Sequence, residues 1–577
     1  MLIIETIIVK LFHKLRIVLS TASFWGYLAV ILAIVLPWFF RPGYLFFTDN
    51  VWGPIIRFDW FSSWLWLKLL LSGLSFIFPV AFLEKIFIAG VLTLILLGGR
   101  ILVKKVLEYY PQSDNAVPKA SSGLIFILSL FALFNPFIYD RALYGQFGLL
   151  IAYGFFLFTL AYLFAAGRTL DFKNLIRAAV CGALVIMFSL HFIFLLLPFI
   201  LLFAFVLFQK RRHIIAAGKS KSLWRALLWS FLVIIIINAN WLIALATKAS
   251  PLVNFMERGI TSQDLVAFQT AGQNGSEALT NVLMMSGFWG KEQFRYLDLT
   301  DVVGWQMSFI FLLPLIIYGA YQSFRRRSQN NKLFNSALLL IFILAVFLAL
   351  GLKSSVTRGL TLFLYDHLPL YKGLREPQKW VAVLIPIYLF YLTLGAYYFS
   401  RARIILHNRL VSGLILTVIV VMGAPSLLWG FNRQVPPTLY PSDWYEVNNF
   451  LLNHSSQSYG CNDKILFLPW HMYLSFNWVG KIITNPAKTF FSCPVVSGTN
   501  MEWGGIYDNS RNKDSQIISA WLSNQGEEAP PLVSGPPLRY IILAKELDFT
   551  AYLWLNNLSY LQPLLETKTL LVYEIKS

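Results

Sequence analysis

Apolar stretches of about 20 residues, interrupted by short polar breaks, recur along the chain, and that is the helix length needed to cross ~30 Å of hydrocarbon. The runs 22–40, 84–103, 121–138, 147–166, 225–246, 304–322, 334–351, 380–399 and 411–429 each predict one crossing. The run 176–208 is long for one helix and short for two. A polar break at Ser189-Leu190-His191 predicts two short helices there, giving about eleven spans in all.

Three longer segments separate spans: 41–82, 247–303 and 352–379. The first carries Trp52, Trp60, Trp64 and Trp66, whose amphipathic rings favour the membrane–water interface. Helices lying in that interface are expected here, because Lys68 and Pro79 weaken Trp64–Phe82 as a span. From 431 onward the pattern changes to short apolar runs between turn residues. Lys464–Pro469, Leu538–Leu543 and Thr569–Glu574 read as strands, and Ser442–Leu452 and Ala551–Leu555 as helical pieces. The expected fold is therefore a polytopic α-helical membrane domain over 1–430 carrying a small α/β domain over 431–577.

Composition agrees: 57% of residues are hydrophobic and 13% charged, against about 25% charged in soluble domains. The net charge of +19 would suit nucleic acid only if it formed a face. Instead the cations cluster at Lys104-Lys105, Lys210-Arg211-Arg212 and Arg325-Arg326-Arg327, in short loops between apolar runs. With two helices over 176–208, every such cluster falls on one side, the positive-inside pattern. The N-terminus is then expected in the cytoplasm and the C-terminal domain outside the plasma membrane. Lys10, Lys14 and Arg16 precede the first span with no small-residue cleavage site after it, as in an uncleaved signal anchor. Of three cysteines, Cys181 falls in a span and reads as a packing residue. Cys461 and Cys493 fall in the outer polar region, where a disulfide and two thiols are both open readings.

The chief candidate for chemistry is Asp49, in Leu45-Phe46-Phe47-Thr48-Asp49-Asn50-Val51-Trp52-Gly53-Pro54, where the chain leaves the first span. A carboxylate beside hydrocarbon is costly and usually paired or functional. Desolvation raises its basicity, which suits a general base or a metal ligand; the structural alternative is a solvated turn aspartate. Asp59 is a weaker second carboxylate, expected to pair locally with Arg57. The turn Asn135-Pro136-Phe137-Ile138-Tyr139-Asp140-Arg141-Ala142-Leu143-Tyr144-Gly145-Gln146 puts Asp140, Arg141 and Gln146 at the same boundary. There they either form a capping ion pair or assist Asp49 and contact an anion. His191, at the break, lines the surface or touches a ligand. In Tyr371-Lys372-Gly373-Leu374-Arg375-Glu376-Pro377-Gln378-Lys379-Trp380, Arg375 and Lys379 are four apart at an expected helix start. That arrangement suits a lipid-linked phosphate, or equally an ordinary headgroup patch. No phosphate-cradling Gly loop, His/Cys metal spacing or Gly-x-Ser-x-Gly occurs, which argues against an ATP-driven pump.

The first-loop aspartate, the span number and the outer domain together resemble the GT-C superfamily of membrane glycosyltransferases. Asn135-Pro136-Phe137, Arg141, Gly145-Gln146, the His191 break, Arg375-Glu376-Pro377, Lys379 and Arg539-Tyr540-Ile541-Ile542 resemble the YfhO-type and arabinofuranosyltransferase-like members. The resemblance implies inverting transfer of a sugar from a polyprenyl-phosphate donor to an envelope glycan, lipid or protein acceptor on the outer face. It also implies Asp49 as base or as ligand of a divalent cation (Mg or Mn), with Arg375 and Lys379 on the donor phosphate. Asn50 follows Asp49, so the adjacent second carboxylate that would favour a metal is missing. The rival readings are a flippase for lipid-linked oligosaccharides and a noncatalytic envelope scaffold. A flippase favours mid-span charges, whereas here charges gather at span ends.

Overall fold

The computed structural model describes residues 22–109, 121–247, 262–293, 295–325, 329–368, 370–401, 409–454, 461, 463–503, 506–508, 513–527, 533 and 535–576. Lys10, Lys14, Arg16, Glu257, Arg258, Arg326 and Arg327 lie outside them. Among the described residues seven helices are long and apolar enough to cross a membrane. They are Val80–Tyr109, Phe147–Thr169, Phe192–Gln209, Ser220–Ala246, Trp305–Arg325, Asn331–Lys353 and Pro377–Ser400. An eighth is the bent pair Val411–Val421 and Pro425–Asn432, at 79°. The protein is a multi-pass membrane protein.

The remaining expected spans are shorter or broken helices, for local reasons. Ala22–Phe39 and Phe172–Phe188 have 18 and 17 residues. The run 121–138 ends as a helix at Leu130, and a second helix, Pro136–Leu143, starts six residues later. Asn135 begins it by accepting the Ile138 amide, and Pro136 occupies the first helical position, where a missing N–H costs nothing. The run 176–208 does break at Ser189–His191, between Phe172–Phe188 and Phe192–Gln209.

Residues 381–397 are buried throughout, so this helix is the axis of the bundle. Its closest neighbour is Trp305–Arg325, and their contact depends on two glycines. A Cβ on Gly319 would collide with the Tyr391 carbonyl, and one on Gly395 with the Leu315 carbonyl. Small residues at such a crossing let the backbones touch, which is how helices associate where no hydrophobic effect drives them together.

The C-terminal region is an α/β layer. Strands β1 (Lys464–Leu468), β4 (Val495–Ser497) and β5 (Leu538–Ala544) pair in parallel, with β1 central. Strands β7 (Leu570–Ile575) and β6 (Leu561–Glu566) extend the sheet antiparallel in the order β4-β1-β5-β7-β6. A separate hairpin pairs β2 (Tyr473–Phe476) with β3 (Lys481–Thr484). Helix Ser442–His454 packs Trp444, Val447 and Leu451 on one sheet face.

The two regions share a strand-like segment. Residues 44–47 are extended, and alternate side chains point to opposite sides, as period-two geometry requires. Tyr44 and Phe46 enter the core of the α/β layer, whereas Leu45 and Phe47 enter the core of the helical bundle. Tyr44 also bridges to Thr438. This clamp sets the position of the residues that follow it.

Candidate functional site

Asp49 leaves the clamp into a built environment. The Thr484 amide and hydroxyl both donate to the Thr48 carbonyl, at 2.8 and 2.7 Å, and the Asp49 amide donates to the Tyr144 carbonyl at 2.9 Å. The Tyr473 hydroxyl donates to Asp49 Oδ1 at 2.9 Å, and Gln146 Nε2 donates to Oδ2 at 3.3 Å. Tyr473 and Thr484 are opposed residues of the β2–β3 hairpin, so one cross-strand pair holds both the loop and its carboxylate. Gly145 closes the other side, at φ +76 and against Phe47 and Asn50.

The carboxylate is open to solvent although protein surrounds it. Burial is the largest influence and raises its pKa; hydrogen bonds from Tyr473 and Gln146 lower it, Glu376 raises it and Arg295 lowers it. The net shift is upward, toward greater basicity.

Gln146 begins a polar chain that runs away from Asp49. Its Oε1 accepts from Arg141 at 2.6 Å, and Arg141 pairs with Glu376. Glu376 also holds Lys379 at 3.0 Å, and Lys379 Nζ lies 3.4 Å from His191 Nε2. Arg141 and Lys379 against one carboxylate leave this cluster with one positive charge in excess. Burial opposes ionisation of Glu376, but Lys379 and Arg141 outweigh it and hold its carboxyl well below the usual range. His191 is pushed down to about 3, by burial first and then by Lys379, so it is neutral near pH 7. Its Nε2 then accepts from Lys379, leaving Nδ1–H for Ser189 Oγ at 3.2 Å.

Gln146, His191, Glu376 and Lys379 line a cavity of about 900 Å3. Its walls are otherwise mixed, with Leu149, Phe188, Phe194 and Trp241 against Asp59, Lys68, Asp366 and Lys372. The volume is in the range of small-molecule sites.

The structure distributes the remaining expected residues differently. Arg375 and Lys379 do not share a helix start: Arg375 follows the 3-10 turn Tyr371–Leu374, and Lys379 lies in the next one, Pro377–Trp380, before the helix. Arg375 pairs with Asp264 at 3.3 Å and stacks on Phe268, whereas Lys379 faces the cavity. Arg141 takes Glu376 as its partner rather than forming a local ion pair with Asp140. The Asp140 carboxyl is pushed up to about 7 by burial, against the pull of Lys291 and Arg141. Arg57 does not take Asp59 as its partner. It donates instead to the carbonyls of Lys488, Phe491, Ser492 and Cys493, and Asp59 accepts the Phe61 amide. Cys461 and Cys493 are joined by a disulfide. Glu376, Tyr473 and Arg295 do not stand out in the sequence as site residues; Glu376 has a signal there, as an acid between two cations in Arg375-Glu376-Pro377-Gln378-Lys379.

Asp49 is poorly suited to a divalent cation. Its two oxygens face N–H and O–H donors, the Arg295 charge already acts on it, and hard cations require several oxygen ligands. Among the described residues no group of three His, Cys, Asp or Glu side chains is placed to hold a metal.

No family model and no curated relative matches the sequence. The fold is similar to the cryo-EM structure of arabinofuranosyltransferase AftD from mycobacteria, with a TM-score of 0.56 and 13% identity. The match covers 97% of this chain and 40% of AftD. A point mutant of AftD, in its second class, matches with a TM-score of 0.50 and 13% identity over 97% of this chain and 42% of that one. The chain thus spans about 40% of AftD's length and shares its fold over that part.

Proposed function

We propose that the protein is a GT-C-type membrane glycosyltransferase that moves a sugar from a polyprenyl-phosphate donor to a hydroxyl acceptor outside the plasma membrane. The observation that carries this reading is Asp49, held by Tyr473 and Gln146, with Gln146 also lining a cavity that contains Lys379. The GT-C-like fold supports it. In the proposed step Asp49 takes the acceptor O–H proton while the acceptor oxygen bonds to the anomeric carbon. The anomeric carbon–phosphate oxygen bond breaks, and the lipid phosphate leaves with the electron pair beside Lys379, one of the cations that line the cavity. Arg375, engaged by Asp264, supports this end of the cavity rather than gripping the phosphate.

The proposed transfer is a single displacement, and hence inverting, with Asp49 as base; Glu376, held by Arg141 and Lys379, is not assigned as a nucleophile. In this reading Asp49 acts as a base without a metal, so chelation should leave turnover unchanged.

The test is binding and turnover of polyprenyl-phosphate sugars by purified protein, wild type beside Asp49→Asn. The expected result is transfer by the wild type and donor binding with turnover reduced about 10²- to 10⁴-fold in the variant. Equal turnover would remove the base assignment. Binding without turnover by the wild type would favour the flippase reading, and no binding of any carrier the scaffold reading.

A further inference from the structure

A second, narrower cavity lies far from the candidate site. Helix Phe147–Thr169 begins beside Gln146 and is about 34 Å long, and the slot opens near its other end. Apolar side chains line it, including Leu160, Phe164, Phe199 and Phe203, with Phe390 from the buried axial helix. Its residues on helix Phe192–Gln209 run from Lys210, at the helix end, back to Phe199, about 16 Å into the bundle. Its free volume is small, about 100 Å3, which suits part of a flexible chain and not a ring system.

The mouth is polar and of one sign. Arg168 and Lys210 both line it and lie near enough to repel each other. Neutral groups help to hold them in place. Lys210 Nζ donates to the Gly167 and Arg168 carbonyls at 2.8 and 3.1 Å, and Arg168 donates to Asn331 Oδ1 at 2.8 Å. The Arg168 guanidinium also stacks against Phe164 and Phe334, 5.3 Å from each ring. Side chains ordered in this way present two cations at the neighbouring ends of two helices.

We propose that this slot binds an anionic phospholipid, with part of one acyl chain between the helices and the headgroup phosphate between Lys210 and Arg168. An apolar slot alone would accept any lipid; the paired cations at its mouth select a net negative headgroup. Arg211, Arg212, Lys173 and Arg177 follow close in sequence and extend the positive field at this end. The site is independent of the transfer reaction and would hold whether or not Asp49 is a base.

Native mass spectrometry and thermal unfolding of the full chain in detergent, with phosphatidylglycerol or phosphatidylcholine added, test this. Phosphatidylglycerol should be retained at one molecule per chain and raise the melting temperature, and phosphatidylcholine should do neither. Lys210→Gln should lower phosphatidylglycerol retention about five-fold. Leu163→Trp, which fills the slot without touching the cations, should lower it as well. Equal retention of the two lipids would show only nonselective annular lipid and overturn the proposal. So would undiminished retention in Lys210→Gln. If that variant does not fold, undiminished retention in Leu163→Trp overturns the proposal in its place.

Discussion

The Tyr473 hydroxyl donates to Asp49 Oδ1 at 2.9 Å across 424 positions of sequence. The proposed base therefore takes its orientation from a hairpin in the α/β layer. Tyr473 is a positioning residue, and its hydrogen bond lowers a pKa that burial has raised.

Tyr473→Phe should accordingly leave donor affinity within a few-fold and lower the turnover number. Removing a donor from the carboxylate raises the Asp49 pKa further. Because the base acts when deprotonated, the acidic limb of the pH–rate profile should move to higher pH. A fall in turnover with no movement of that limb would mean the hydroxyl only packs.

Gly145 tests the loop from its other side. At φ +76 a Cβ would lie 2.7 Å from Phe47 Cβ and 2.8 Å from Asn50 Cβ. Gly145→Ala should cost about 1–2 kcal/mol from the left-handed backbone alone. Turnover should fall further than stability does, because the displaced neighbours flank Asp49. Melting curves read beside initial rates separate the two effects.

Glu376 is the carboxylate that pairs with two buried cations, so Glu376→Gln should destabilise the protein by about 3–5 kcal/mol, measured by thermal unfolding in detergent. The native carboxyl is held well below the ordinary glutamate value of 4.5. Its contribution is thus complete above that value and is lost as pH falls toward the depressed native value. Wild-type stability should decline below about pH 4.5, and in Glu376→Gln that part of the decline should be missing.

The proposed topology puts the disulfide on the outer side. A reporter fused at the C-terminus should be active outside the cytoplasm, and Cys461 and Cys493 should resist thiol reagents until reduced. Reduction opens a loop with a sequence separation of 32 and should cost roughly 2–4 kcal/mol. A cytoplasmic C-terminus would move the candidate site to the other face and remove the outer-face reaction.

Features set by short-range chemistry are legible in the sequence. Hydropathy marks the helices, the polar triplet at Ser189–His191 marks a break that exists, and Lys464–Leu468 and Leu538–Ala544 are strands where apolar runs stand between turns. Asp49 stands out because a carboxylate beside a span is expensive. The split of 121–138 is easily missed: Asn135-Pro136 is a helix-start signal inside an apolar run, and hydropathy alone passes over it. Partnerships are harder to read. Arg375 and Lys379 have the spacing of one helical face, yet the chain folds there into separate 3-10 turns and sends Arg375 to Asp264. Arg57 lies two residues from Asp59 but finds four carbonyls more than 400 positions away. Tyr473 carries no local mark, since a strand tyrosine becomes informative only when the hairpin is laid against the first loop.

The tetrapeptide 44–47 has a consequence for how such a protein can be rearranged. Tyr44 and Phe46 belong to one interior, Leu45 and Phe47 to the other, and all four are buried. An α/β region excised at residue 431 would carry an apolar socket that the first loop normally fills. The bundle left behind would keep Asp49 but lose the hairpin that aims it. Neither part is a transplantable module. A chimera that exchanges the C-terminal region must also exchange 44–47, or it will inherit two interiors that no longer fit a common segment.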